Sequence, residues 1–415
     1  MSLLTRVLSD DPLIRSMSFQ SVLSAFGEGA FLTGSAVFFT QVVGLSAAQV
    51  GVGMTIGMAV KFPLSVPLGR LADRVGTRTA WIVGAFLQAV LFLSWLGIHS
   101  FLGYVAVAIA IELAEAFMRA GIGAYRIQVF PRDKRVRSMA YMRAARNVGY
   151  TLGAAAGGIA LAFNDLDAIR VVPVFTGVLL LANTWWISTL PRLEQEVHEI
   201  PEGVSPRGAL RNRGFLAMTI LDGIISTHQV LLNVVIPLWL VEETNAPRVL
   251  LAWLFGTNTV LAVLLQVRAA RGVIDIPTSL RAQHRAAACF VVSCGIIWVT
   301  DSTTQWLTIV LIWVGHVTIT AAELLNSAGE WGLVSELSDS RRLGEYQGLQ
   351  QLGYTLGNVW APAAYTWLAI HGGMAGWLTI AAIVVTAAAA IGPAARAAER
   401  HLREEPQSDP EPITA

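Results

Sequence analysis

Twelve apolar runs constrain this chain more than any other feature. They lie near residues 19–40, 50–68, 80–98, 103–125, 144–163, 171–190, 215–241, 249–267, 284–300, 305–330, 346–370 and 374–392. Each approaches the roughly 20 residues with which a helix crosses about 30 Å of hydrocarbon. Inside a bilayer every backbone N–H and C=O must find its partner within the protein, so such runs fold as helices. A mean hydropathy of +0.57 with only 14% charged residues excludes a water-soluble domain of 415 residues. The predicted fold is an all-α membrane protein with 12 transmembrane helices.

The runs fall six and six about a polar stretch, Pro191 to Gly214, that holds three prolines and mixed charge. The expected organisation is an N-terminal six-helix half over 1–190, a cytoplasmic linker over 191–214, a C-terminal six-helix half over 215–395 and a disordered cytoplasmic tail over 396–415. No cleavable signal peptide is expected, because Asp10, Asp11 and Pro12 interrupt the N-terminal region. Cys289 and Cys294 share one apolar run and read as buried small residues rather than as a disulfide or metal site.

Charge sets the orientation. Lysine and arginine gather on the cytoplasmic side of membrane proteins. With a cytoplasmic N-terminus, the loops on that side carry 25 of the 29 lysines and arginines. The outer loops carry only Arg170 and Arg248, and Lys61 and Arg119 fall inside runs. Both termini are therefore expected in the cytoplasm.

An internal repeat relates the halves. Gly149-Tyr-Thr-Leu-Gly153 recurs 204 residues later as Gly353-Tyr-Thr-Leu-Gly357, in the fifth run of each half. At a similar offset, Arg268, Arg271, Gly272 and Asp275 stand as a degraded copy of the stretch 69–78. Duplication of this kind predicts two parallel halves meeting at a midplane site.

Residues 69–78 read Gly-Arg-Leu-Ala-Asp-Arg-Val-Gly-Thr-Arg. Gly69 and Gly76 suit tight turns or close backbone approach. Asp73 is an acceptor for helix-end N–H groups or for arginine. The stretch resembles the G-x-L-A-D-R-x-G-R-K signature of the major facilitator superfamily, between its second and third helices. Gly69, Leu71, Ala72, Asp73, Arg74, Gly76 and Arg78 match; Thr77 departs. The resemblance implies the major facilitator fold, with rigid halves that rock about a central site. It also implies a cytoplasmic latch made by Gly69, Asp73, Arg74, Gly76, Arg78 and Arg126. In that latch Asp73 would hold Arg78 or Arg126 and the N–H groups near Gln347.

Residues 149–158 resemble the antiporter motif of drug exporters in the same superfamily. Gly149, Gly153, Gly157 and Gly158 match, and Ala154 replaces the usual proline. Glycines four apart line one helix face and let another backbone come close.

Ionisable groups inside spanning helices are costly, so each is a functional candidate. Glu28 lies in the first run and Lys61 in the second, both roughly 12–14 Å deep at about 1.5 Å per residue; they are a candidate pair. An acidic residue in the first helix is similar to the proton-linked carboxylate of multidrug antiporters. The fourth run carries Glu112, Glu115, Arg119 and Arg126 on one face, with Glu115 and Arg119 spaced to pair. The tenth carries His316, Glu323 and Glu330 at seven-residue steps, with Asn326 beside them. The seventh carries Asp222, Ser226, Gln229 and Asn233 as a stripe, and the eleventh carries Gln347, Gln350, Tyr354, Asn358 and Tyr365. In the family the first, fourth, seventh and tenth helices line the cavity. That implies Glu28, Glu112, Glu115 and Glu323 for proton coupling, with Lys61 and Arg119 as charge partners. Asp222, Gln229, Asn233, His316, Asn326, Tyr354 and Asn358 are the expected substrate cavity.

With no phosphate-binding loop and no nucleophile elbow, neither ATP hydrolysis nor enzyme catalysis is expected. The expected activity is secondary transport, proton-coupled efflux of small organic or amphipathic molecules such as drugs. The alternatives are proton-coupled uptake of a sugar or organic acid, and a transporter-like sensor. The expected partners are a small-molecule substrate, protons and the lipid bilayer. Neither nucleic acid, metal nor cofactor is expected beyond the proton gradient. The expected setting is a monomer in a bacterial inner membrane.

Overall fold

Short capping signals set where several helices begin. Asp11 Oδ1 accepts the Leu13 and Ile14 N–H groups at 3.0 and 3.4 Å, just ahead of Pro12. Ser46 and Gln49 close a capping box, and Asp275 and Thr278 close another. Gly76, at φ 93°, ends one helix and starts the next, a conformation that favours glycine.

The computed structural model describes residues 9–163, 166–192 and 208–404. The first half comprises α1 (Pro12–Val37, continued by a π-turn at Phe38–Val42), α2 (Ala47–Val75), α3 (Thr77–Ser94), α4 (Phe101–Val129), α5 (Arg135–Ala162) and α6 (Leu166–Thr189). The second comprises α7 (Arg213–Glu242), α8 (Leu250–Ala269), α9 (Ile276–Val299) and α10 (Gln305–Leu337), then α11 (343–372) and α12 (374–404). The last two form one stretch, Leu343–Glu404, broken at Gly373 by φ 51° and ψ −138°. Among the described residues ten segments are long and apolar enough to cross a membrane, counting 340–404 once. The twelfth helix is α5, whose glycines, alanines and arginines make it less apolar.

Two boundaries differ from the sequence reading. α5 starts at Arg135, nine residues before its apolar run. Met139, Ala140, Tyr141, Met142 and Ala144 are all buried there, so packing carries the helix through a stretch that charge marked as loop. The tail expected from 396 starts later, because Ala394, Ala395, Ala397 and Ala398 sustain α12 to Glu404. Residues 405–415 lie outside the described residues, as does most of the expected linker, 193–207. Trp377, near the start of α12, is 2% exposed and packs edge-on against Trp239.

The glycine repeat holds each half together. A Cβ on Gly149, Gly153 or Gly157 would meet the carbonyl oxygen of Val22, Phe26 or Ala30, so α5 lies backbone to backbone on α1. A Cβ on Gly353 or Gly357 would meet the carbonyl of Thr219 or Gly223, so α11 lies on α7 in the same way. Gly158 has open space and takes no part.

α7 is not one uniform helix. It runs regularly to Ile225, turns through Ser226 and Thr227, and contains a π-turn at Leu231–Val235. Thr227 Oγ1 donates to the Ile224 carbonyl at 2.6 Å, a local bond that competes with the helix ladder. The turn lies between the buried residues Asp222 and His228.

Candidate functional site: buried ion pairs above a closed end

The α2–α4 contact builds the first part of the site. Gly57 lets α2 approach Ala108 and Glu112 of α4. Lys61 Nζ thereby reaches Glu112 Oε2 at 2.6 Å and Glu115 Oε2 at 3.5 Å. Arg119 Nε donates to Glu115 Oε1 at 2.6 Å, the expected pair one turn along α4. The candidate pair of Glu28 with Lys61 does not form. Equal depth brought the two together in the sequence, but α1 packs on α5 and α2 packs on α4. Glu28 Oε2 instead accepts from Arg146 Nη2 of α5 at 2.7 Å, and its Oε1 accepts from Ser24 at 3.0 Å. Three cations and three carboxylates thus balance inside the first half.

In the second half, Glu323 takes a partner from the first. Arg143 Nη2 of α5 donates to Glu323 Oε1 at 2.7 Å, and Asn258 Nδ2 of α8 donates to Oε2 at 2.9 Å. Arg143 also lies over the Trp331 ring, 5.9 Å from its centroid. Asn326 Nδ2 donates to Ser226 Oγ at 2.9 Å, and Gln283 Nε2 donates to Asp222 Oδ1 at 2.6 Å. His316 is buried two turns along α10 from Glu323. Asn233 donates to the Gln229 carbonyl and Asn358 to the Tyr354 carbonyl, bonds within their own helices. Those four expected cavity residues are not brought onto the ion pairs by any bond of their own.

The stretch 69–78 closes the end of the molecule where α1 begins and α12 ends. Asp73 Oδ1 and Oδ2 accept the Gly344 and Glu345 N–H groups at 2.6 and 2.9 Å. A carboxylate from one half therefore caps the start of α11 in the other, satisfying N–H groups that have no partner within that helix. Glycines make this approach possible: a Cβ on Gly69 would meet the Gly344 carbonyl, and one on Gly348 would meet the Ser65 carbonyl. Arg70 Nε donates to Glu345 Oε1 at 2.8 Å, and Glu345 also accepts from Ala209 N at 3.0 Å. Arg132 pairs with Glu336 across the same end, and that hydrogen bond and charge push the guanidinium pKa up.

The arginines of the expected latch are placed differently. Asp73 contacts neither Arg78 nor Arg126. Arg78 donates to the Ser188 and Leu190 carbonyls at 2.6 and 3.2 Å, tying α3 to the end of α6 within its own half. Arg126 is half-buried, and its Nε has no hydrogen-bond partner among the described residues. Arg74 is exposed in the last turn of α2, where its charge suits the helix C-terminus. Asp73 is occupied by α11 because the close backbone approach at Gly69, Gly344 and Gly348 sets the start of that helix directly on its carboxylate.

Arg143 and Arg146 are the residues that sequence reasoning missed as site members. Both belong to the arginines assigned by the charge pattern to the cytoplasmic side. The signal is in the spacing of the apolar residues Val136, Met139, Ala140 and Ala144, at i, i+3, i+4 and i+8, which marks one helix face starting before the run.

Residues 17–362 match the sequence model of the Major Facilitator Superfamily. No curated protein sequence matches the chain. Among solved structures, the chain is similar to a bacterial homologue of the iron transporter ferroportin in an outward-facing state, at 14% identity and TM-score 0.70, with 94% of this chain and 100% of that chain covered. It is similar to a human organic anion transporter at 14% identity and TM-score 0.64, with 92% and 100% covered. It is also similar to the E. coli fucose:proton symporter at 13% identity and TM-score 0.69, with 93% and 98% covered. At these identities the likeness is one of fold. The model match spans most of the chain and takes in both the capped latch and the paired helices described above, so the chain belongs to the Major Facilitator Superfamily of transporters.

Proposed function

We propose that the protein exports small organic or amphipathic molecules in exchange for protons, by alternating access. The observation that carries this reading is the Glu28–Arg146 pair beside the Gly149, Gly153 and Gly157 face. That face resembles the antiporter motif, and the close α1–α5 approach it permits is what brings the carboxylate to the guanidinium. A buried carboxylate whose cation is withdrawn must find a proton instead. Movement of α5, or a substrate competing for Arg146, would convert Glu28 from ion-paired to protonated. Glu115 has the same logic with Arg119 and Lys61.

In this reading the termini face the cytoplasm of a bacterial inner membrane and one chain is the working unit. The proton gradient supplies the energy and no cofactor takes part. Ala154, standing where the antiporter motif has proline, favours a second reading, proton-coupled uptake of a sugar or organic acid.

The test is a substrate panel on inverted vesicles with an imposed pH gradient. Glu28→Gln and Glu115→Gln should each abolish uphill export while leaving substrate binding intact, with Glu112→Gln milder. Wild-type export rates from both of the first two variants would remove these carboxylates from the coupling. Substrate-dependent alkalinisation of the medium around intact cells would favour uptake.

A further inference from the structure

Asp222 and Glu330 differ from the other acidic side chains midway along the helices. Glu28, Glu112, Glu115 and Glu323 each touch an arginine or lysine. Asp222 and Glu330 have amide partners only: Gln283 Nε2 donates to Asp222 Oδ1 at 2.6 Å, and Gln350 Nε2 donates to Glu330. Neither carboxylate has an ion-pair partner among the described residues.

The four side chains come from four helices at one level. Asp222 lies nine residues into α7, and Gln283 and Gln350 lie seven residues into α9 and α11. Glu330 lies seven residues from the end of α10. At about 1.5 Å per residue, all stand roughly 10–13 Å above the closed end. Gln283 joins the two acids: its Nε2 holds Asp222, and its side chain packs where a Cβ on Gly329, the residue before Glu330, would stand.

The surroundings supply acceptors and few hydrogens. Gln283 is 0% exposed and Asn326 is 1% exposed, yet Gln283 Oε1 and Asn326 Oδ1 have no hydrogen-bond partner. Both amides belong to this cluster. Gln283 Nε2 is already on Asp222 and lies 3.5 Å from the Asn326 carbonyl, while Asn326 Nδ2 is on Ser226, one turn from Asp222. The charged and titratable groups facing the cluster are committed elsewhere. Arg143 of α5 is spent on Glu323, and His228 Nδ1 lies against the Ile225 carbonyl at 3.1 Å. Tyr354 lies one turn beyond Gln350 on α11.

Two carboxylates linked through one amide, neither with an ion-pair partner and Asp222 only 4% exposed, are costly to keep ionised together. A carboxylic O–H is also the donor that the orphaned amide oxygens lack. We infer that Asp222 and Glu330 together bind a proton in this closed state. Gln350, which holds Glu330, lies six residues along α11 from the Gly344 N–H that Asp73 caps, so opening that end would hydrate the pair and release the proton toward the end where α1 begins. This deepens the proton-coupled reading by naming a carrier in the second half, and its test needs neither substrate nor gradient.

The test is infrared spectroscopy of the purified full-length protein in lipid at neutral pH. A carboxylic-acid C=O band that shifts in heavy water is expected. Asp222→Asn with Glu330→Gln should remove it, and each single variant should reduce it. The amides mimic protonated acids, so the variants should elute as folded protein. If they do not, carbon-13 aspartate and glutamate labelling of the wild type assigns the band to each residue type. Absence of the band in the wild type, its survival in the double variant, or its loss on adding sodium chloride but not choline chloride would overturn the proposal. Loss of gradient-driven export alone would leave it standing.

Discussion

Lys61 serves two carboxylates at once, and its own surroundings leave it little water: its side chain is 13% exposed. Removing it strands Glu112, which gains nothing from Arg119 to replace it. Lys61→Met should therefore destabilise the protein, and Glu112→Gln in that background should restore part of the loss. A double-mutant cycle on thermal unfolding in detergent should give a coupling energy of about 1–3 kcal/mol. Purely additive effects would mean the pair contributes nothing. The face shared by Glu112, Glu115 and Arg119 was legible in the sequence, because helical spacing fixes which residues of one helix point together. The partner of Glu28 was not legible. Sequence gives depth along a helix, but which helix lies alongside is decided by packing, and Arg146 stands at the very start of the fifth run, where the charge pattern assigns it to the cytoplasmic side.

At the level of elements, the glycine repeat makes opposite predictions for neighbouring positions. Gly153 lies where any Cβ would press on the Phe26 carbonyl, so Gly153→Ala must push α5 off α1. Overpacking of this kind costs about 1–3 kcal/mol. Gly158 lies one residue past that stripe with open space around it, so Gly158→Ala should be neutral or stabilising by up to about 1 kcal/mol, the ordinary helix preference for alanine. Melting temperatures of the two variants should move in opposite directions, or the first only; equal shifts would mean the stripe is not a contact face. The twelve helices and the two-fold repeat were readable because bilayer thickness and duplication both leave periodic marks. The turn at Ser226 and Thr227 in α7 was not, since two hydroxyl residues in an apolar run read equally well as ordinary helix.

For the whole molecule, the two halves are joined at the end where α1 begins and α12 ends by contacts that must break together. Asp73 caps α11, Arg70 holds Glu345, Arg132 holds Glu336, and Arg143 holds Glu323 somewhat deeper. Each links a residue of the first half to one of the second, so each favours the closed arrangement and none survives rocking of the halves. Asp73 is the best place to perturb this balance, because it acts through charge at a helix start rather than through bulk. Asp73→Asn keeps the shape but removes the negative charge, and an NH2 donor replaces one of the two acceptor oxygens, facing an N–H group it cannot bond. A partly buried charge at a helix terminus is worth up to about 2 kcal/mol, and about 1.4 kcal/mol is tenfold in population. Ser65 reports the opening: it is 2% exposed, and its carbonyl lies against Gly348 of the other half. In a Ser65→Cys variant, a water-soluble thiol reagent should react only when that end opens. Adding Asp73→Asn should raise that labelling rate about tenfold, while the Gly76 turn and the α3–α6 ties of Arg78 stay intact and the protein elutes normally. Arg78→Gln, which touches only its own half, should leave the rate unchanged. If Asp73→Asn labels no faster than its parent, the trans-cap on α11 is not what holds this end shut.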